Sequence, residues 1–182
     1  MRLAVTMLSF SMAVTAFAQA QSAHVHGAAQ MSVALVDSVL EIELHAPAES
    51  FWGFEYAAKS TDERATEQNA LAALKKGGWL ALPSSAVCTL AKSSAARSAD
   101  VSDNAKHAHD HEHADEATSA HTNVKVSLQF HCKQAEDLTR PNAIELHLFS
   151  AFASLNTVDL QGITDTGQVA KRLTAKDFRF GL

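Results

Sequence analysis

The chain has 182 residues, 47% of them hydrophobic, two cysteines, and a net charge of −5 at neutral pH. This length is sufficient for one domain with a sizeable core. The acidic balance argues against nucleic acid and anionic lipid as partners and mildly favours cations.

The N-terminus has the layout of a secretory signal peptide. Arg2 precedes an uncharged apolar run, and two overlapping small-x-small cleavage signals end at Ala18 and Ala20. We therefore predict a signal peptide over 1–20 and a single exported domain over 21–182. The apolar run is too short for a membrane anchor, and no other segment approaches the roughly 20 apolar residues that a span needs. In a Gram-negative bacterium the expected location is the periplasm, without membrane insertion.

A β-hairpin and a helix are predicted in the first half of the domain. Residues 31–35 and 40–44 alternate apolar and polar side chains around the turn residues Asp37 and Ser38, and Pro47 ends the second strand. The predicted helix is capped by Ser60 or Thr61, carries an apolar stripe at Ala70, Leu71 and Leu74, and ends at Gly77. A short strand that carries Cys88 follows.

Between 92 and 121 the composition shifts to Ser, Ala, Asp and His without hydrophobic periodicity, which predicts a disordered insertion. Neutral imidazole is a common protein ligand for zinc, copper and nickel. The insertion is therefore a candidate metal-binding segment, through His107, His109, His111, His113 and His121. Zinc is the first choice because several imidazoles suit its tetrahedral preference, although the ligand type leaves copper and nickel open.

Four further strands are predicted after the insertion. They are centred on 124–132, 144–148, 157–163 and 168–173, the last two joined by a turn at 165–167. The fold class is therefore α+β, with antiparallel β-rich sheets and one main helix. The letters I-E-L-H occur at 42–45 and again at 144–147, which suggests an internal duplication against the alternative of chance.

The two cysteines have two interpretations. In an oxidising compartment, Cys88 and Cys132 most economically form one disulfide, which closes a long loop around the insertion. The alternative is a pair of thiolate metal ligands.

Five further histidines are candidate ligands outside the insertion. His24 and His26 lie two positions apart, so both rings share one face if the segment is extended. The others lie on the polar faces of predicted strands, where two or three can converge: His45, His131 and His147. Ordering a loop costs roughly 1–2 kcal/mol per residue, so the insertion should bind metal more weakly than a preformed site.

No catalytic motif points to an enzyme. The H-E-x-x-H pattern is absent, because His111 and His113 are separated by Glu112 alone. The nucleophile elbow and the glycine-rich nucleotide loops are also missing. A zinc-dependent hydrolase built from dispersed histidines is the least favoured alternative. A periplasmic metal buffer, or a copper- or nickel-binding stress protein, is the runner-up function.

The order of several short motifs resembles the ZrgA-like family of periplasmic proteins associated with zinc uptake. These motifs are His24-Val25-His26-Gly27, Ala46-Pro47-Ala48, Gly53-Phe54-Glu55, the two cysteines that flank a His-rich insertion, and Leu173-Thr174. The resemblance covers essentially the whole chain after the signal peptide. It implies zinc binding, cooperation with a zinc ABC importer or its binding protein, and no catalysis. It carries over His24, His26 and the insertion histidines as ligands.

Overall fold

A computed structural model describes residues 25–99 and 122–182. The strands of these residues are β1 (Ala28–Val36), β2 (Val39–Pro47), β3 (Leu80–Ala81), β4 (Cys88–Ala99), β5 (Thr122–Cys132), β6 (Ile144–Leu146), β7 (Thr157–Thr164), β8 (Gly167–Thr174) and β9 (Arg179–Phe180). The helices are α1 (Glu49–Trp52), α2 (Thr61–Lys76) and α3 (Leu148–Ala151), with 3₁₀ turns at Ser84–Ala86 and Ala135–Thr139. The predicted β-rich α+β class with one main helix is confirmed. The predicted signal peptide lies outside the described residues.

Six strands form the main sheet in the order β4-β5-β2-β1-β7-β8. The predicted hairpin is confirmed: Val36 and Val39 face each other across the turn at Asp37 and Ser38. Four of the five neighbouring pairs are antiparallel, as predicted, but β1 and β7 are parallel. These two strands open separate hairpins far apart in the chain, so no tight turn forces them to run in opposite directions.

One face of this sheet is buried and the other is exposed. Along β2, Ile42 and Leu44 are buried while Glu41, Glu43 and His45 are exposed, as the alternation predicts. Helix α2 packs against β4 and β5, and α1 against β2. Each large apolar side chain buried in this way contributes about 1.5–3 kcal/mol.

A small second sheet, in the order β3-β6-β9, lies outside the main one. Leu80 pairs with Leu146, and Ile144 pairs with Phe180. Strand β9 was not predicted, because two residues are too short to show a period of two.

The ends of α2 are those that the sequence predicts. The Ser60 hydroxyl accepts a hydrogen bond from the Glu63 amide at 3.1 Å, and the Glu63 carboxylate accepts one from the Ser60 amide at 2.8 Å. This capping box satisfies two amides that the helix itself leaves unbonded. Gly77 ends the helix in a left-handed conformation, with φ +71°.

The disulfide interpretation of the cysteines is confirmed. Cys88 and Cys132 face each other at the end of the β4–β5 pair and are bonded, so neither is a thiolate ligand. The bond lies at the opposite end of this pair from Ala99 and Thr122, where the chain leaves and re-enters the described structure.

The predicted start of the insertion at Lys92 is wrong. Strand β4 continues to Ala99 and pairs with β5 as far as Thr122. The register shifts between Leu90 and Lys92, so the alternation of side chains is interrupted at that point. The rest of β4, which is an edge strand, consists mostly of serine and alanine. Composition alone did not distinguish such a strand from a loop. The rest of the predicted insertion, 100–121, lies outside the described residues.

The strand predicted at 144–148 is shorter than expected. It ends at Leu146, and Leu148 begins α3. The two I-E-L-H copies lie in different sheets, and a short helix follows each of them. The internal duplication stays a prediction. Within the described part of the chain, no helix is both long and apolar enough to cross a membrane.

Candidate metal site

A tight turn immediately before β1 fixes the position of His26. Gly27 has φ +74°, and its carbonyl accepts hydrogen bonds from the amides of Asn156 and Thr157 at 2.7 and 3.1 Å. A Cβ at this glycine would lie 2.8 Å from the Ser154 carbonyl oxygen, closer than real Cβ atoms approach. Only glycine allows both the positive φ and this close approach without strain. The two hydrogen bonds of its carbonyl hold the residue next to it, His26, beside the start of β7.

Glu49 is the first residue of α1. The preceding amide, of Ala48, donates to the Thr122 carbonyl at 2.8 Å, which attaches the start of the helix to β5. The Glu49 carbonyl accepts from the Gly53 amide at 2.9 Å, and Gly53 ends the helix with φ +86°. Phe51 and Trp52 of the same helix are buried, which fixes the position of α1. The Glu49 carboxylate remains partly exposed to solvent.

Glu55 lies in the irregular segment between α1 and α2. Its backbone carbonyl and that of Tyr56 accept hydrogen bonds from Arg97 Nη2 at 3.5 and 3.2 Å. The rings of Phe54 and Tyr56 stack with centroids 5.0 Å apart. The Tyr56 hydroxyl in turn donates to Glu63 Oε1 at 2.7 Å, which ties the segment to α2.

The three side chains meet at one point on the surface. One ligand atom from each of His26, Glu49 and Glu55 lies within 4.8 Å of the other two. His26 Nδ1 contacts Glu49 Oε2 and lies 3.6 Å from Glu55 Oε1. The histidine side chain is 60% exposed and the two carboxylates 39% and 18%, so the group is open to solvent on one side.

This set of donor atoms is one that could hold a divalent metal. Zinc takes imidazole nitrogen and carboxylate oxygen at about 2.0–2.2 Å in tetrahedral geometry, which places neighbouring ligand atoms about 3.3–3.5 Å apart. Three protein ligands leave one tetrahedral position open, as in sites that exchange a ligand. With neutral imidazole, two carboxylates also supply the negative charge that a divalent cation offsets.

The other predicted strand histidines do not converge on one site. His45 lies 3.9 Å from Glu43, whose carboxylate also pairs with Lys125 at 3.2 Å. His131 shares the exposed face of the sheet but lies six residues beyond Lys125, about 20 Å along the strand. His147 is the residue immediately before α3 rather than part of a strand, and its Nε2 lies 3.3 Å from Glu145 Oε2. Each therefore has at most one nearby carboxylate partner in the ion pairs described.

Of the remaining predicted ligands, His24 precedes the described residues. The five insertion histidines, His107, His109, His111, His113 and His121, fall in the undescribed stretch between β4 and β5.

Sequence reasoning missed Glu49 and Glu55. A glutamate at the start of a four-residue helix and another in a loop carry no periodic signal, and the three proposed ligands come from separate segments. A partial signal was present, since Glu55 ends the Gly53-Phe54-Glu55 motif. Only histidines were carried over from that resemblance.

A β-rich fold with an open histidine–carboxylate group has the character of a metal-binding protein. The comparison with family models is more specific. The model of the ZrgA family zinc uptake protein matches residues 23–182, and the chain belongs to that family. The predicted family is thus confirmed. The membership implies zinc binding and a role connected with zinc uptake rather than catalysis. No curated protein matches the chain.

Proposed function

We propose that this protein captures zinc in the periplasm and supports its delivery to a zinc importer. The family supplies the connection with zinc uptake. The observation that carries the proposal is the group formed by His26, Glu49 and Glu55. It offers one imidazole nitrogen and two carboxylate oxygens that lie within 4.8 Å of one another. The signal-peptide pattern over 1–20 supports export to that compartment.

Two classes of site contribute different properties. The insertion histidines (His107, His109, His111, His113 and His121) bind zinc weakly and rapidly, because any ordering of that segment opposes binding. The group at His26 binds more tightly because its ligands are already held in place. The point where the chain re-enters the described structure lies beside the helix that carries Glu49, because the Thr122 carbonyl accepts a hydrogen bond from the amide of Ala48.

His24 is the proposed fourth protein ligand. It lies two positions before His26, so the two Cα atoms are at most about 7 Å apart. The His24 imidazole would fill the open tetrahedral position or replace a bound water there. An exchangeable fourth ligand suits a protein that releases its metal to a partner.

Single substitutions at the three proposed ligands test the site. Zinc affinity is measured by competition with a chelator in the full-length chain after the five insertion histidines have been changed to alanine. We expect H26A, E49Q and E55Q each to weaken the remaining site at least tenfold. H45A is the matched control, because it removes another exposed histidine beside a glutamate, and it should leave affinity unchanged. Equal affinity in all four variants would contradict the assignment.

The role in uptake is tested in cells. A strain that lacks the gene should grow poorly when zinc is chelated and normally when zinc is in excess, if the protein supports import. A metal buffer or a copper- or nickel-binding stress protein predicts the opposite, with a defect under metal excess. Complementation with H26A separates a function of the core site from one of the insertion.

A further inference from the structure

Arg97 contacts four segments of the chain, and two of them carry the proposed ligands Glu49 and Glu55. Its Nη1 contacts both carboxylate oxygens of Glu67 in α2, at 3.2 and 3.1 Å. Its Nη2 donates to the carbonyls of Glu55 and Tyr56 and, at 3.2 Å, to the Thr122 hydroxyl. The guanidinium also lies 5.9 Å from the centroid of the Trp52 ring in α1.

The register of β4 explains why an arginine faces these helices. Leu90 pairs with Phe130 and Lys92 pairs with Gln129, so Ala91 is an extra residue that reverses the alternation. Arg97 consequently pairs with Val124, a buried residue, and shares its face of the sheet. Without the shift, the neighbouring Ala96 would occupy that face and Arg97 would lie on the other face of the sheet.

The carboxylate of Glu67 balances the positive charge of Arg97. Its side chain is 26% exposed and that of Glu67 is 13% exposed, so the pair is largely withdrawn from water. The remaining guanidinium donors are therefore directed to carbonyl and hydroxyl oxygens. Lysine cannot reproduce this arrangement, because its ammonium is a point charge without the planar fork.

We propose that Arg97 is a positioning residue for the metal site: it holds the backbone at Glu55 and, through Thr122, the end of β5 that is bonded to the start of α1. The inference rests on the proposed zinc site and deepens it. Two of the three ligands then depend on one guanidinium that does not itself touch the metal. Residues that orient metal ligands typically change metal affinity about 10- to 100-fold when they are replaced.

The test uses the full-length chain with the five insertion histidines changed to alanine as the parent. R97K keeps the positive charge and removes the planar guanidinium with its paired N–H donors. R172K is the matched control. Arg172 forms a two-point pair with Asp159, at 2.7 and 3.0 Å, and neither residue is one of the three proposed ligands. Zinc affinity is measured by chelator competition, the visible spectrum of bound Co²⁺ reports the coordination geometry, and thermal unfolding without metal reports the fold.

We expect R97K to weaken zinc binding about tenfold or more and to change the Co²⁺ spectrum, while R172K behaves as the parent. In an E55Q background, R97K should cost less than it does in the parent, because part of the effect of Arg97 is exerted through Glu55. Should R97K lower the folded fraction, E67Q loosens Arg97 without replacing it and should weaken binding severalfold.

The two levels of the proposal fail differently. A parent that binds neither zinc nor Co²⁺ would overturn the metal site at His26, and the positioning role with it. A parent that binds normally, with R97K and E67Q unchanged in affinity and spectrum, would overturn the positioning role alone. An equal loss from R97K with and without E55Q would also overturn it, because it would indicate a general structural effect.

Discussion

Single residues with unusual backbone requirements position the ligands of the site. Gly27 combines a left-handed conformation with a close approach to Ser154 and immediately follows His26. Gly53 has φ +86° and separates the helix that carries Glu49 from the segment that carries Glu55. Sequence inspection located both glycines within short motifs. It did not show that they bring three ligands together, because that depends on contacts between distant segments.

Replacing Gly27 tests this dependence. G27A introduces a Cβ that conflicts with the Ser154 carbonyl at a φ that L-residues rarely adopt. We expect a loss of about 2 kcal/mol in unfolding free energy, measured with denaturant, and weaker zinc binding. G167A is the control, since a Cβ there meets no atom within 4 Å and the φ is not positive. Equal stability of the two variants would show that the turn is not constrained.

Helix α2 and its capping box stabilise the segment that carries Glu55. The pKa of Glu63 is lowered to about 2, chiefly because its carboxylate accepts hydrogen bonds from the Ser60 amide, the Tyr56 hydroxyl and the Lys59 amide. The hydrogen bond from Tyr56 to this carboxylate also raises the pKa of Tyr56. One ionised side chain thus holds both the helix end and the residue next to Glu55.

The lowered pKa predicts a pH dependence of stability. Because the folded-state pKa of Glu63 lies below the ordinary value of 4.5, its contribution is complete above that pH. It is lost as the pH falls from 4.5 towards 2. The difference in unfolding free energy between the parent and E63Q should therefore be constant near neutral pH and shrink in this acid range. A difference that grows on acidification would contradict the assignment of the cap.

The β4–β5 pair determines where the insertion can leave the fold. Ala99 faces Thr122 in the register, so the two ends of the undescribed segment are neighbours and a short turn can join them. Composition predicted an insertion without helix or strand periodicity, and for residues 100–121, which lie outside the described structure, this stays a prediction. It misplaced the start by several residues, because serine and alanine on an edge strand carry little hydrophobic signal.

Deletion of the insertion tests its independence from the fold. Replacing 101–120 by Asn-Gly should lower the number of zinc ions bound per chain and leave the thermal transition of the metal-free protein essentially unchanged. Isothermal titration and circular dichroism measure the two quantities. Loss of cooperative unfolding would show that the segment is needed for the fold. Loss of all zinc binding would show that the core site does not exist.

At the scale of the whole molecule, the sequence predicted local features better than relationships between distant segments. The hairpin, the ends of α2 and the disulfide followed from turn residues, caps and cysteine number. The parallel pairing of β1 with β7 and the meeting of His26 with two glutamates did not, because both depend on segments far apart in the chain. His26 was predicted as a ligand from its residue type, whereas the two carboxylates beside it became apparent only from the fold.

The most direct test of the account is a crystal structure of the zinc-loaded protein with anomalous data collected at the zinc edge. The account predicts an anomalous peak about 2.0–2.2 Å from His26 Nδ1 and from one carboxylate oxygen of each of Glu49 and Glu55. Zinc found at full occupancy on other residues, such as His45 or His147, with no peak at this group, would contradict the central claim.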